Sequence, residues 1–286
     1  MKNQNIFESS YKKIGLEPIN ETTFTKINTE EQYKSLIKIL FLPKGYTLTI
    51  DFTTYKTSQE SLFFVNTNQF LQIQKTGKEA GYFLFYNRDF YCVQIHDAEV
   101  ACDGLLFNNI YNMPMTVLSE TTQKRIVSLL QQIEEELELQ DSSEEEMIRI
   151  CLKQILLRAA RAWKKQQLGQ EMISNDVEME FFRQFSLLVE IHFKEKHTVA
   201  DYADILHIAP KTITNKFKKL GLAQPNEIIK DRIILEAKRL LIHTTMTAKE
   251  IAYQLGYEDP AYFNRLFTLK AGDSPVTFRK KYSNSI

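Results

Sequence analysis

The sequence predicts an α+β chain: a β-sandwich or barrel first, an αα-hairpin next, and then an all-α domain with two helix-turn-helix units. Three observations carry this. Short runs of β-branched and aromatic residues at near two-residue alternation fill Thr23 to Thr116. Apolar residues at helical spacing replace them from about Ser119. An internal repeat, offset by 49 to 50 residues, occupies the last third.

The β part is carried by "GYTLTIDF", "SLFFVNTNQFLQIQ" and "GYFLFYNRDFYCVQI", with Gly45, Gly77 and Gly81 as punctuation. Many short strands in so few residues close into a sandwich or barrel. Residues 1–20 are polar and are expected to be poorly ordered, so the β region would begin late, at about Thr23. One expected role is to hold a small effector, with Phe64, Phe83 and Phe85 as candidate lining, although a sandwich shortened in this way would lack part of the pocket. The alternative is an effector-free dimerisation platform, because an aromatic stripe at strand spacing is also what a packed core looks like.

In "SETTQKRIVSLLQQIEEELEL", Ile126, Leu129, Leu130, Ile133 and Leu137 recur at helical spacing. "DSS" at 141–143 breaks the helix, and a second one follows with Met147, Ile150, Leu152, Ile155, Leu156, Ala159 and Ala160. Two such helices with a short break make an αα-hairpin. Ile126, Leu130, Ile133 and Leu137 are the apolar stripe of its first helix. Gln166–Asn175 is polar, contains Gly169 and reads as a linker. The expected division is 1–118 for the sandwich, 119–169 for hairpin and linker, and 170–286 for the helical domain.

In the repeat, Ala203, Leu206, Ile208, Phe217, Pro225 and Ile228 match Ala252, Leu255, Tyr257, Phe267, Pro275 and Phe278. Thr247-x-x-Glu250 is a capping box, Gly256 suits a helix end, and Asp259-Pro260 and Ser274-Pro275 open the next helices. The first copy opens on Thr198-x-x-Asp201, and Ala209 replaces a polar cap before Pro210. The second helix of each copy has an apolar side, Ile213 and Phe217 in one and Phe263, Leu266 and Phe267 in the other. Opposite lie Lys211, Thr214, Asn215 and Lys218, and Ala261, Asn264, Arg265 and Thr268. Arg and Lys suit guanine edges and phosphates, Asn suits adenine, and small Ala or Thr fits beside a thymine methyl. A single helix of this kind is an ordinary amphipathic surface helix; two copies with matched turns point to a major groove. Asn226–Leu241 is one helical run of 16 residues, ~24 Å at 1.5 Å per residue, which suits a spacer between two heads. Arg232, Lys238 and Arg239 on it are candidate phosphate contacts, with Lys218 and Thr268 on the heads.

Formal net charge is zero, but the chain is polarised. From His197 to the end there are 14 Lys+Arg against 9 Asp+Glu, and the remainder has 22 against 27. A basic last third on an acidic body is a partner signal. Cys92, Cys102 and Cys151 are an odd set without ligand spacing, and His96 is the single histidine of the β region. No metal site, cofactor or catalytic group is therefore expected. "EEELELQDSSEEE" lacks the calcium-loop pattern. Without an apolar leader or a membrane-length run, a soluble cytoplasmic protein is expected.

The stretch "RIILEAKRLLIHTTMTAKEIAYQLGYEDPAYFNRLFTLKAGDSPVTFRKKY" closely resembles the signature of AraC/XylS-type transcriptional regulators. That pattern reads R-x4-A-x2-LL, I-A-x2-[LV]-G-[FY]-x-D-x2-YF-x-R-x-F, then G-x-[ST]-P-x2-[FY]-R, and the resemblance runs from about Asp176 to the end. Pro260 and Ala261 stand where a small residue and Ser are common, Gly221 sits one residue early, and "APKTITNKF" is less typical. The resemblance implies a seven-helix DNA-binding unit. Its base-contact candidates are Lys211, Thr214 and Asn215 in the first head, and Pro260, Ala261, Asn264 and Arg265 in the second. "LFFVNTNQ" and "GYFLFYNRDF" look like the cupin-type β-sandwich that precedes this unit in many members, and 120–165 looks like the family's dimerisation helices, which implies a dimer seam at Ile126, Leu130, Ile133 and Leu137. The implied partners are double-stranded DNA and a second copy of the chain, with RNA polymerase and a small-molecule effector as further candidates. The rival reading is a small-molecule-sensing or enzymatic cupin whose helical tail mediates protein contacts.

Overall fold

The computed structural model describes residues 5–67, 69–91, 106–107, 115–139, 141–172, 176–219 and 223–282. Cys92, His96, Cys102 and Gly221 lie outside the described residues. The chain divides into two compact units, Met1–Ser174 and Asn175–Ile286.

In the first unit, β1 (Ile6–Ser9), β2 (Lys12–Ile19), β8 (Gly81–Tyr86), β3 (Ile37–Leu42), β6 (Ser61–Val65) and β9 (Met115–Val117) lie side by side in that order. A second sheet has the order β5 (Thr53–Lys56), β4 (Thr47–Ile50), β7 (Leu71–Lys75). Each recorded pairing is antiparallel. The inner faces share one core: Leu40, Leu42, Phe63, Val65, Phe83 and Phe85 from the large sheet meet Leu48, Ile50, Leu71 and Ile73 from the small one. β3 and β6 are buried at every position, so "IKILFL" and "SLFFV" read as continuous apolar runs rather than clean alternations.

The first twenty residues correct the expectation of disorder: they supply β1 and β2, and the sandwich starts well before Thr23. Ile14, Leu16 and Ile19 are buried, and Gly15 lies flat under the Phe85 ring, where a Cβ would come within 2.3 Å. The polar composition that suggested disorder belongs to the outer edge and the Ser10 turn. The segment after β2 is a helix, α1 (Glu21–Thr29), because Asn20 accepts from the Thr23 N–H as an N-cap.

The hairpin helices are α2 (Glu120–Leu139) and α3 (Glu144–Met172), and both belong to the first unit. α3 runs into the expected linker as far as Met172, past Gly169, since the residues around it are good helix formers and one internal glycine costs only about 1 kcal/mol. Ile126, Leu130, Ile133 and Leu137 are all at most 2% exposed. They form the seam within the chain, with Ile148, Leu152, Ile155 and Leu156 of α3 buried beside them. The expectation that these four form a dimer surface is therefore corrected: one helical stripe cannot bury itself twice.

The effector-lining expectation is corrected too. Strand alternation puts Phe63 and Val65 in the inter-sheet core and Phe64 on the other face, against Phe107 at 5.3 Å. Phe83 and Phe85 are inside, edge-on to Tyr33 at 5.3 and 5.1 Å. The three phenylalanines do not line one space.

The second unit has seven helices among its described residues: α4 (Asp176–His192), α5 (Val199–Leu206), α6 (Pro210–Lys219), α7 (Pro225–His243), α8 (Ala248–Gln254), α9 (Pro260–Ala271) and α10 (Pro275–Tyr282). Both capping boxes form, Thr198 with Asp201 and Thr247 with Glu250. His207 (φ 53°) and Gly256 (φ 78°) close α5 and α8 in the left-handed region.

Candidate nucleic-acid interface

Each head consists of a capped first helix, a left-handed turn, and a second helix fixed by its apolar side. In the first head, Ile213 and Phe217 are fully buried, and Phe217 meets Phe182 and Phe185 of α4 edge-on at 5.7 and 5.0 Å. This anchoring turns Lys211, Thr212, Asn215, Lys218 and Lys219 of α6 to solvent. Thr214 is half-buried and donates its hydroxyl to the Pro210 carbonyl at 3.2 Å, which leaves its oxygen lone pairs free of that bond to accept. In the second head, Phe263, Leu266 and Phe267 are buried, and Ala261, Tyr262, Asn264, Arg265 and Thr268 are exposed, with Pro260 half-buried at the entry. Asp259 caps α9 by accepting from the Ala261 N–H at 2.8 Å. Thr268 donates to the Asn264 carbonyl at 2.8 Å, as Thr214 does on its own helix.

Of the seven base-contact candidates, Lys211, Asn215, Ala261, Asn264 and Arg265 are exposed on α6 and α9, and Thr214 and Pro260 are half-buried. The phosphate candidates divide. Lys218 is exposed at the end of α6. Arg232 is withdrawn as a phosphate contact: it is 5% exposed, donates to Glu190 at 2.5 and 3.0 Å and to Glu236 at 2.9 Å, and lies 3.8 Å over the Phe193 ring. Its forked guanidinium ties α7 to α4, a structural use that spacing alone does not separate from phosphate binding. Arg239 is turned the same way, 3.6 Å from Glu236, and Lys238 lies 5.6 Å over Phe278.

Three positions escaped the sequence reading. Tyr262 is 48% exposed, one turn before Arg265 on the same outward side, and its i, i+3 spacing was the available signal. Arg279 donates to the carbonyls of Leu241, Thr244 and Met246, covering the C-terminal end of α7. Lys270 bonds Glu227, and Asp231 at 2.7 Å, pinning α9 to α7; this bond holds the Glu227 carboxyl below its ordinary range. Neither contact shows in any local spacing, since each joins residues more than thirty apart.

A family model described as a helix-turn-helix domain matches residues 202–281, which span α5 through α10. The uncharacterized HTH-type transcriptional regulator YisR of Bacillus subtilis (strain 168) is 34% identical over 95 residues, 33% of each chain. The HTH-type transcriptional activator Btr of the same organism is 36% identical over 98 residues, 34% of this chain and 18% of Btr. Residues 202–281 are a helix-turn-helix domain. Among solved structures, the C-terminal domain of AraT, a response regulator from Geobacillus stearothermophilus, matches at 25% identity and a TM-score of 0.33, over 35% of this chain and 83% of that one. This chain spans a third of YisR and less than a fifth of Btr, so the likeness concerns a part of each protein. Within the helix-turn-helix domain the repeat of the sequence is the repeat of the fold: α5–α6 and α8–α9 are its two heads, and α7 joins them. Among the described residues no group of three His, Cys, Asp or Glu could hold a metal ion, and no helix is long and apolar enough to cross a membrane.

Proposed function

We propose that the chain is a sequence-specific DNA-binding transcriptional regulator whose α6 and α9 read successive major-groove segments. The observation that carries this is the division of both helices, with aromatic anchors buried and Lys211, Asn215, Asn264 and Arg265 exposed. Phosphate contacts from groups such as Lys218 supply affinity, and the base-facing groups supply choice. The test is selection of bound sequences from a random DNA pool, followed by Arg265→Ala. Loss of a bidentate base contact lowers specific affinity by about 1–3 kcal/mol and relaxes one position. An unchanged footprint and affinity would remove Arg265 as a reader. Lys218→Ala weakens all sequences alike and flattens the salt slope by about 0.9.

The same reading includes a homodimer, now through a different face of the hairpin. Met147 and Ile150 are 42% and 44% exposed, and Gln154, Leu157 and Arg161 continue the stripe at alternating three- and four-residue steps. α3 begins with Glu144, Glu145 and Glu146 and carries Arg158, Arg161, Lys164 and Lys165 in its later turns. An antiparallel second copy would set opposite charges together. For effector control, the supporting observation is Lys38. It is 3% exposed on the core side of β3, its Nζ bonded to the Leu36 carbonyl at 2.9 Å, with Asp51 as a nearby counter-charge.

A further inference from the structure

We propose that His197 is a positioning residue that clasps the two heads together, so that the spacing between the two DNA segments is fixed by a ring stack as well as by α7. This rests on the DNA-reading assignment above. His197 lies in the turn between α4 and α5, just before the Thr198 cap, and its N–H donates to Asp201 at 3.1 Å. Its position is therefore that of the first head. Its ring stacks on Tyr257, with centroids 4.5 Å apart and planes 17° off parallel. Tyr257 belongs to the other head: it follows Gly256 in the α8–α9 turn, is 8% exposed, and packs on Phe263 of α9 at 5.3 Å.

The backbones meet here too. A Cβ on Gly256 would lie 2.1 Å from the Lys194 carbonyl and 3.2–3.3 Å from the His197 ring, at a φ of +78°. The corresponding position of the first head is His207, which is also left-handed and carries a side chain. The turn type alone therefore does not demand glycine. Close approach of the two heads does. The His197 Nε2 is buried without a hydrogen-bond partner, so the ring's face, rather than its nitrogen, holds it in place.

This predicts which replacements work. His197→Phe keeps the stack and removes an unsatisfied nitrogen; His197→Gln keeps polarity and loses the stack. The experiment uses the full-length chain on a DNA selected from a random pool, and on versions with one or two base pairs inserted between the segments read by the heads. A one-pair insertion costs wild type and His197→Phe about tenfold or more in affinity, while His197→Ala and His197→Gln lose only about twofold and still bind the parent DNA. Equal spacing preference in all four proteins overturns the proposal, as does rescue by Gln equal to that by Phe. A second measurement needs no DNA. Spin labels at exposed Asp204 and Leu269, placed after the three native cysteines are replaced, should give a narrow distance distribution that broadens in His197→Ala and stays narrow in His197→Phe. An unchanged distribution in His197→Ala also overturns it. Failure to select any DNA would count against the DNA-reading assignment and leave this distance test in force.

Discussion

At the scale of single residues, Arg232 and Lys38 show how burial decides what a charge is for. Arg232→Met removes the guanidinium from Glu190 and from Glu236, which keeps Arg239 at 3.6 Å. Breaking a buried pair costs about 3–5 kcal/mol; both carboxylates keep some water here, so about 2–3 kcal/mol is expected in urea denaturation. The salt slope of DNA binding stays unchanged in this variant, which a phosphate contact could not do. Lys38 carries the opposite balance. Burial pushes its ammonium down to about 8, with Asp51 offsetting part of that. Its folded pKa lies below the unfolded value near 10.4, so the unfolded chain binds more protons between the two. Stability contributed by this position therefore rises from pH 8 to pH 10.4, by up to about 3 kcal/mol. Wild type should gain on Lys38→Met across that window, and Lys38→Met should be the more stable protein at pH 7. A constant difference between the two from pH 7 to 10.5 would contradict the assigned burial.

At the scale of elements, the hairpin separates two roles that its sequence pattern merges. Leu130→Glu places a charge in the α2–α3 seam and should unfold the hairpin, as judged by loss of a cooperative thermal transition. Ile150→Glu changes an exposed position, should leave the melting curve within a few degrees of wild type, and should shift sedimentation from dimer to monomer. A dimer that survives Ile150→Glu would place the interface elsewhere. The α2 stripe was legible from spacing because one apolar face must be buried; which partner buries it was not, since period alone does not separate a neighbour in the chain from a second chain. The heads were read more fully. Thr198, Thr247 and Asp259 are local signals, and the structure honours each within three residues. β1 and β2 were missed because alternation is weak in "IFESSYKKIGLEPI", where the inward positions include Gly15 and Glu17 beside Ile19. Arg279 and Lys270 were missed because their partners lie on other helices.

At the scale of the whole molecule, charge and architecture divide along nearly the same line. Met1–Ser174 carries 19 basic and 22 acidic residues, and Asn175–Ile286 carries 17 and 14. The second unit has its own buried set, including Phe185, Tyr202, Ile233, Phe263 and Phe267, so a fragment beginning at Asn175 should fold alone with a cooperative transition. Such a fragment keeps both heads and the groups proposed to meet phosphate. Its salt slope on a single half-site should therefore match that of the full chain counted per subunit. What it loses is the hairpin and, on the proposed dimer, the second copy. On DNA with two half-sites, a dimer binds its second site intramolecularly, and linkage of this kind raises affinity by about 10²–10⁴ without any new contact. The fragment should fall short of the full chain by that factor on paired sites and by little on a single site. Full-length Ile150→Glu should behave like the fragment in both assays. If fragment and full chain bind paired sites equally, the first unit contributes no second copy, and its role must be sought in what Lys38 can bind.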